Sequence, residues 1–425
     1  MAFPRMLARV WFSLFMQSPP SIETRTSWIV AVAATVVITM GFGAAWIAPV
    51  ALKRIAAEAD DLRSVPALAG ALTWLGIGCG GIPLSWLAQR IGVRWTAIGG
   101  AVMIATGLAL STLGPGWQLY VGHGLFIGFL GIAGLNAPLY VYLCNWFDLR
   151  RGSALALVSS GAYIAGALWP SAFERAVAYF GWRQTMLFYA GLQIVVIVPL
   201  ATLFFNNPPA PPPGPIASGD TGAKARVLGW PPNLVFVLVA VASFLCCVPM
   251  AIPQAHLVAY CGDIGISAAR GAVMLSVLLG TAFLSRQVWG WMADRIGGLR
   301  TALIGSACQT VSMTGFLLTQ DEVGLFSVAA IFGFSFSGLV SAYVLSLRQL
   351  FPAAEAPWRI PALLLISGGG MAFGGWIGGV LYDYFAFYGP AFAAGVLFGL
   401  LNLSVLGALV GQQRRALAQS GLASG

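Results

Sequence analysis

Charge is scarce in this chain. Asp, Glu, Lys and Arg make up 8% of its 425 residues, about a third of what an ordinary water-facing domain carries. A soluble globular surface cannot be built from so few charges. Histidine occurs twice, as His123 and His256, and the six cysteines show no metal-ligand spacing. That excludes a Cys/His metal centre and a disulfide framework, and leaves the cysteines as small buried hydrophobes. No nucleophile–base pair stands within the apolar stretches, so the pattern is not that of an enzyme and calls for no cofactor or metal. The net charge of +9 is not gathered into a patch, which argues against a nucleic-acid partner.

What the chain has instead is apolar length. Hydrophobic residues make up 59% of it, and Ile29–Leu52 and Leu234–Ala255 each run without a charged side chain. About 20 such residues cross the hydrocarbon core of a bilayer, and only helices can do so without orphaning their backbone polar groups. Spans are expected near 27–52, 66–88, 95–114, 117–145, 152–176, 184–206, 231–258, 269–293, 299–318, 322–347, 360–384 and 388–411. The expected fold class is an all-α membrane protein of twelve transmembrane helices in two six-helix, pseudo-symmetric halves.

Residues 207–230 hold six prolines within 208–215 and read as a linker between half 27–206 and half 231–411. Residues 1–26 are expected to carry a short interfacial helix, Val10–Met16, and 412–425 a tail. Placing both termini in the cytoplasm puts fifteen Lys and Arg inside and six outside, with Arg286 within a span; the positive-inside rule selects that orientation. With no eukaryotic targeting signal in view, a bacterial inner membrane is the expected location. Gly370, Gly374 and Gly378 recur at every fourth position, a spacing that lets membrane helices approach closely.

Two segments repeat six spans apart. The first is Ser85-Trp86-Leu87-Ala88-Gln89-Arg90-Ile91-Gly92-Val93-Arg94; the second is Gly290-Trp291-Met292-Ala293-Asp294-Arg295-Ile296-Gly297-Gly298-Leu299-Arg300. Both resemble the loop motif of the major facilitator superfamily, Gly-x-x-x-Asp-Arg-x-Gly-x-Arg/Lys, which implies the two-half fold and a gating role for Gln89, Arg90, Arg94, Asp294, Arg295 and Arg300. The first copy departs from the pattern, with Ser85 for glycine and Gln89 for the acid.

Arg286 stands eight residues from Asp294, roughly 12 Å deep along the helix. A mid-membrane arginine costs about 2.5–3.5 kcal/mol even on the gentlest scale, yet all thirteen acids fall in loops or at span ends. An unpaired guanidinium suits an anionic ligand, because its planar fork matches a carboxylate; a structural arginine satisfied by carbonyls and water is the alternative. One intramembrane cation fits one carboxylate. Asn136 and Tyr140, four apart on one helical face, and Tyr163, Ser337 and Tyr343 are further candidates for the site, each otherwise readable as interhelical hydrogen bonding. His256 is a candidate for proton coupling or a satisfied structural histidine.

With Arg286 in place, the chain resembles the monocarboxylate transporter branch of the superfamily, including bacterial relatives near the oxalate:formate antiporter. The resemblance rests on Trp146-Phe147-Asp148-Leu149-Arg150-Arg151-Gly152-Ser153-Ala154 before the fifth span. It rests also on His256 to Tyr260 with Asp263-Ile264-Gly265, and on Tyr382-Asp383 with Tyr388 and Phe392. It implies secondary active transport of small monocarboxylates such as lactate or pyruvate, by alternating access and with a proton, and it assigns the substrate carboxylate to Arg286. Ala282 stands where many animal members carry an aspartate, and the first span lacks the family's leading acid. Export of larger organic anions or lipophilic drugs, or a non-transporting membrane sensor, are the other readings.

Overall fold

The computed structural model describes residues 23–143, 145–147, 151–206, 226–352 and 355–422. The interfacial helix expected within 1–26, most of the linker and the Asp148–Arg150 segment lie outside the described residues.

Among the described residues, eleven apolar helical runs are long enough to cross a membrane. One of them, Leu157–Phe204, has 48 residues, or roughly 70 Å of helix, more than twice a hydrocarbon core. It breaks at Gly181, whose φ of 80° and ψ of 163° are not helical. Twelve crossings result. They are α1 (Arg25–Val50), α2 (Ser64–Ile91), α3 (Val93–Ser111), α4 (Trp117–Leu143), α5 (151–180) and α6 (182–204). The second half comprises α7 (Pro232–Asp263), α8 (Ala268–Ile296), α9 (Gly298–Leu318), α10 (Glu322–Leu350), α11 (Ala356–Phe385) and α12 (Gly389–Leu422).

Glycine makes the tightest turns between spans. Gly92 (φ 91°, ψ 148°) joins α2 to α3, and Gly297 (φ 84°, ψ 159°) joins α8 to α9. The two repeated segments therefore share one backbone solution, in a region that side chains rarely adopt. These two turns lie on one face of the molecule, the motif face; the opposite one is the far face.

Within each half the helices pack side by side; between halves the main contacts are α2 with α11, α5 with α8, and α1 with α7. The glycine stripe on α11 meets α7. A Cβ on Gly374 would lie 2.3 Å from the Val248 carbonyl oxygen, and one on Gly370 would lie 2.5 Å from that of Phe244. These glycines serve close packing, as their spacing predicts.

The halves touch unevenly. On α2, Gly78 lies against Leu365 of α11, yet one and two turns nearer the motif face Ile82 and Trp86 are 63% and 53% exposed. On α8, Ser276 pairs with Ser171 of α5 at 3.0 Å, while Leu284, two turns nearer the motif face, is 67% exposed. The seam is thus closed on the far face and parted on the motif face.

Candidate substrate site at the junction of the halves

Two helices are interrupted at mid-depth. α10 runs as Glu322–Phe336 and Leu339–Leu350, with Ser337 and Gly338 in the gap. Here α8 comes too close for a side chain, since a Cβ on Gly338 would lie 2.1 Å from that of Trp289. The Trp289 indole donates to the Phe334 carbonyl at 2.6 Å and satisfies a group freed by the break. α5 is interrupted at Ser160, where the Gly161 carbonyl accepts from Thr39 of α1 at 3.1 Å. Irregular backbone at membrane depth is tolerated only inside protein or along a cavity, and it is a recurrent feature of transporter binding sites.

Arg286 on α8 sits beside both breaks. Its guanidinium carbon lies 5.2 Å from the ring centroid of Tyr163, on α5 of the other half. The Tyr163 hydroxyl reaches the Ser337 carbonyl at 3.4 Å, and the Ser337 hydroxyl pairs with that of Ser285 at 2.7 Å. Tyr140 of α4 is within electrostatic reach of both Arg286 and Tyr163. Arg286, Tyr140, Tyr163 and Ser337 thus converge from α8, α4, α5 and α10.

Arg286 is half-buried, and among the described residues no acid pairs with it. The face of Tyr163 offsets part of the desolvation, as cation–π contacts do, but leaves the guanidinium's donors free. Asn136, one turn from Tyr140 toward the far face, has a buried Oδ1 with no hydrogen-bond partner. A buried acceptor left unmet costs about 1–3 kcal/mol. Among the described residues, Arg286 thus has no acid and Asn136 Oδ1 no donor to meet it.

Tyr343 and His256 lie elsewhere. Tyr343 is wholly buried inside the second half, its hydroxyl 2.9 Å from Asn402 Oδ1 and 3.2 Å from the Ala242 carbonyl. Asn402 in turn donates to Ser306 at 2.8 Å. His256 is held on both ring nitrogens: Nε2 lies 2.7 Å from the Gly375 carbonyl and Nδ1 lies 3.1 Å from the Tyr388 hydroxyl. The carbonyl can only accept, so Nε2 carries the hydrogen and Nδ1 accepts from Tyr388. A second proton on the ring would require the Tyr388 hydroxyl to turn and accept.

The motif residues stand apart at the motif face. Arg94 donates to the Thr202 carbonyl and to Asn206, at 2.6 and 2.5 Å. Arg90 lies over Trp86 and Arg295 over Trp291, at 3.9 and 4.0 Å to the ring centroid. Gln89 and Asp294 are exposed, and no ion pair between described residues involves Asp294 or Arg300. The charge latch that the motif implies is not engaged while the motif face is parted.

A twelve-helix, two-half bundle with an unpaired cation at its centre is the architecture of a membrane transporter. The family model for the Major Facilitator Superfamily matches residues 32–356, and the chain belongs to that superfamily. It is 23% identical over 325 residues to monocarboxylate transporter 13 of Bos taurus, covering 76% of this chain and 75% of the relative. Human monocarboxylate transporter 11 is 26% identical over 364 residues, covering 80% and 74%. An MFS-type transporter of Gibberella moniliformis is 23% identical over 322 residues, covering 74% and 76%. Among solved structures, a bacterial homolog of the human lysosomal transporter Spinster, inward-facing and unoccupied, superposes with a TM-score of 0.67 at 16% identity, over 93% of this chain and 94% of that one. A POT family transporter in complex with a thioalcohol-conjugated peptide gives 0.71 at 12% identity, over 91% and 96%. At these identities the likeness is one of fold.

Proposed function

We propose that this protein carries small monocarboxylates, such as lactate or pyruvate, across a membrane by alternating access. The observation that supports this reading is the unpaired guanidinium of Arg286 at the junction of the halves, with Tyr140, Tyr163 and Ser337 around it. A carboxylate meets the guanidinium fork with two parallel hydrogen bonds. Asn136 Oδ1 supplies an acceptor for a donor on the substrate, such as a 2-hydroxyl. Pairing removes the electrostatic cost of enclosing Arg286, so that the motif face can close over the occupied site more readily than over an empty one. The monocarboxylate transporters among the relatives agree with this reading.

The motif face is proposed to be cytoplasmic, on the charge asymmetry of the loops. The fungal and mammalian relatives give no support to the bacterial inner membrane expected from the sequence. Proton coupling would have to proceed without an acid beside Arg286, and the occupied nitrogens of His256 favour its structural reading.

The test is uptake of labelled L-lactate into proteoliposomes, with an inward proton gradient imposed and then collapsed, for the parent and for Arg286→Ala. Saturable uptake lost in Arg286→Ala supports the reading, and gradient dependence supports the coupling. Undiminished uptake by Arg286→Ala would remove its centre.

A further inference from the structure

The far face is closed by acids and bases from opposite halves. Arg63 precedes α2 and is only 7% exposed. Its two terminal nitrogens meet Asp263, at the end of α7, at 2.5 and 2.7 Å. Lys53 joins the same carboxylate at 2.8 Å. The Arg63 guanidinium carbon lies over the ring of Tyr382, 3.5 Å from its centroid, with Tyr388 at 5.2 Å.

Asp383 of α11 adds a different kind of bond. Its two oxygens accept the backbone N–H groups of Arg63 and Ser64, at 2.8 and 2.9 Å. Those are the first groups of α2, where a helix leaves its amides without partners and where negative charge is favoured. α2 has no acid in its first turn and no side-chain cap of its own. By contrast, Thr24 caps α1, Ser267 caps α8 and Asp321 caps α10, each from the same chain segment. The cap of α2 comes from 319 residues away, in the other half.

No ion pair between described residues joins the halves on the motif face. Among the described residues the cross-half charge pairs are all on one side, and opening the far face must break each of them while leaving α2 uncapped.

We propose that Asp263 and Asp383 form a two-carboxylate latch on the outer end of α2, which biases the molecule toward the state closed on the far face and open on the motif face. Asp263 neutralises Arg63, and Asp383 terminates the helix that Arg63 begins. Both act on the same segment, so each adds to holding it and losing both frees α2.

Thiol labelling tests this without reference to any substrate. Gln254 lines a small chamber of about 30 Å³ between the halves, with Trp46 and Met371, behind the latch. Gln254→Cys reports its accessibility to a membrane-impermeant maleimide, and Leu284→Cys reports the motif-face opening, each corrected for the parent chain. Asp263→Asn or Asp383→Asn should raise labelling at position 254 by about threefold. The double variant should raise it about tenfold, the effect of roughly 1.4 kcal/mol on a two-state balance, while labelling at 284 falls. Unchanged labelling at both positions, in a double variant that is monodisperse and melts like the parent, would overturn the proposal. Should the double variant not fold, Arg63→Gln approaches the latch from the other half: the same rise is expected, and none would overturn it.

Discussion

Arg286 and Tyr163 face each other across the boundary between the halves, the guanidinium carbon 5.2 Å from the ring centroid. The contact ties an unpaired mid-membrane cation of one half to a helix of the other.

Arg286→Ala is expected to abolish carboxylate uptake while leaving the melting midpoint within a few degrees of the parent, because no protein partner is orphaned by the change. Arg286→Lys keeps the charge but loses the planar fork, and should raise KM about tenfold. Uptake kinetics in proteoliposomes, alongside a thermal melt in detergent, separate the two effects.

At Tyr163 the ring and the hydroxyl make different contacts. Tyr163→Phe retains the face beneath Arg286 and loses only a 3.4 Å bond to the Ser337 carbonyl, so KM should change less than about threefold, within 1 kcal/mol. Tyr163→Leu removes the ring and should raise KM further. Equal effects of the two substitutions on KM would show that the cation–π contact is immaterial.

Tyr343→Phe should leave KM unchanged and lower stability. The substitution takes away the donor to Asn402 inside the second half, a loss of about 1–3 kcal/mol when a buried acceptor is left unmet. A fall in melting temperature with KM unaltered is the expected pattern. A raised KM at unchanged stability would return Tyr343 to the substrate site.

Gly374→Ala places a Cβ 2.3 Å from a backbone carbonyl oxygen of α7. Neither helix can yield by a rotamer change, and overpacking of this kind costs about 1–3 kcal/mol. The purified protein should melt earlier, and second-site Val248→Ala should not rescue it, because the clash is with backbone.

Glu58, in the loop between α1 and α2, accepts from Arg183 at 2.7 and 2.5 Å and from the Trp182 indole at 2.9 Å. The Arg183 bonds hold its carboxyl below the usual range, against the upward pull of partial burial, with Trp182 assisting. A lowered folded-state pKa contributes stability above the unfolded value and loses it as the pH falls through the folded one. The parent's melting midpoint should therefore drop more than that of Glu58→Gln between pH 6 and pH 3. Parallel curves would count against the pair.

Much of the architecture was legible because membrane helices advertise their length. The break between α5 and α6 falls at Gly181, between the expected spans 152–176 and 184–206, and the repeated turns share one backbone geometry. Depth along a helix was also readable, and it singled out Arg286, Tyr140, Tyr163 and Ser337, which the structure brings together. Rotation about the axis was not. A helix apolar on every side has no amphipathic face to mark its orientation, so Tyr343, two turns from Ser337 on α10, could not be told apart from it. Ser285, which pairs with Ser337, escaped notice beside Arg286. The Arg63–Asp263 and Ser64–Asp383 contacts join residues 200 and 319 apart, and no local pattern announces such pairs. The interruptions of α5 and α10 were missed as well, since Ser-Gly steps are common in membrane helices.

One stretch of α4 is wound more widely than the rest: Gly122–Ile132 is π-helical, and ordinary α-helix resumes at Ala133. Wider winding changes the angle between the turn before the stretch and the turn after it. The direction in which Asn136 and Tyr140 point is therefore set upstream, in a segment nearer the far face. Deleting one residue between 122 and 132 would let part of the segment rewind as α-helix with both neighbours in place, whereas the same deletion between 134 and 139 would turn Tyr140 away from Arg286. Uptake that tolerates the first deletion better than the second would identify the wide turn as a spare register, an inserted residue that the helix carries without passing its cost to the site.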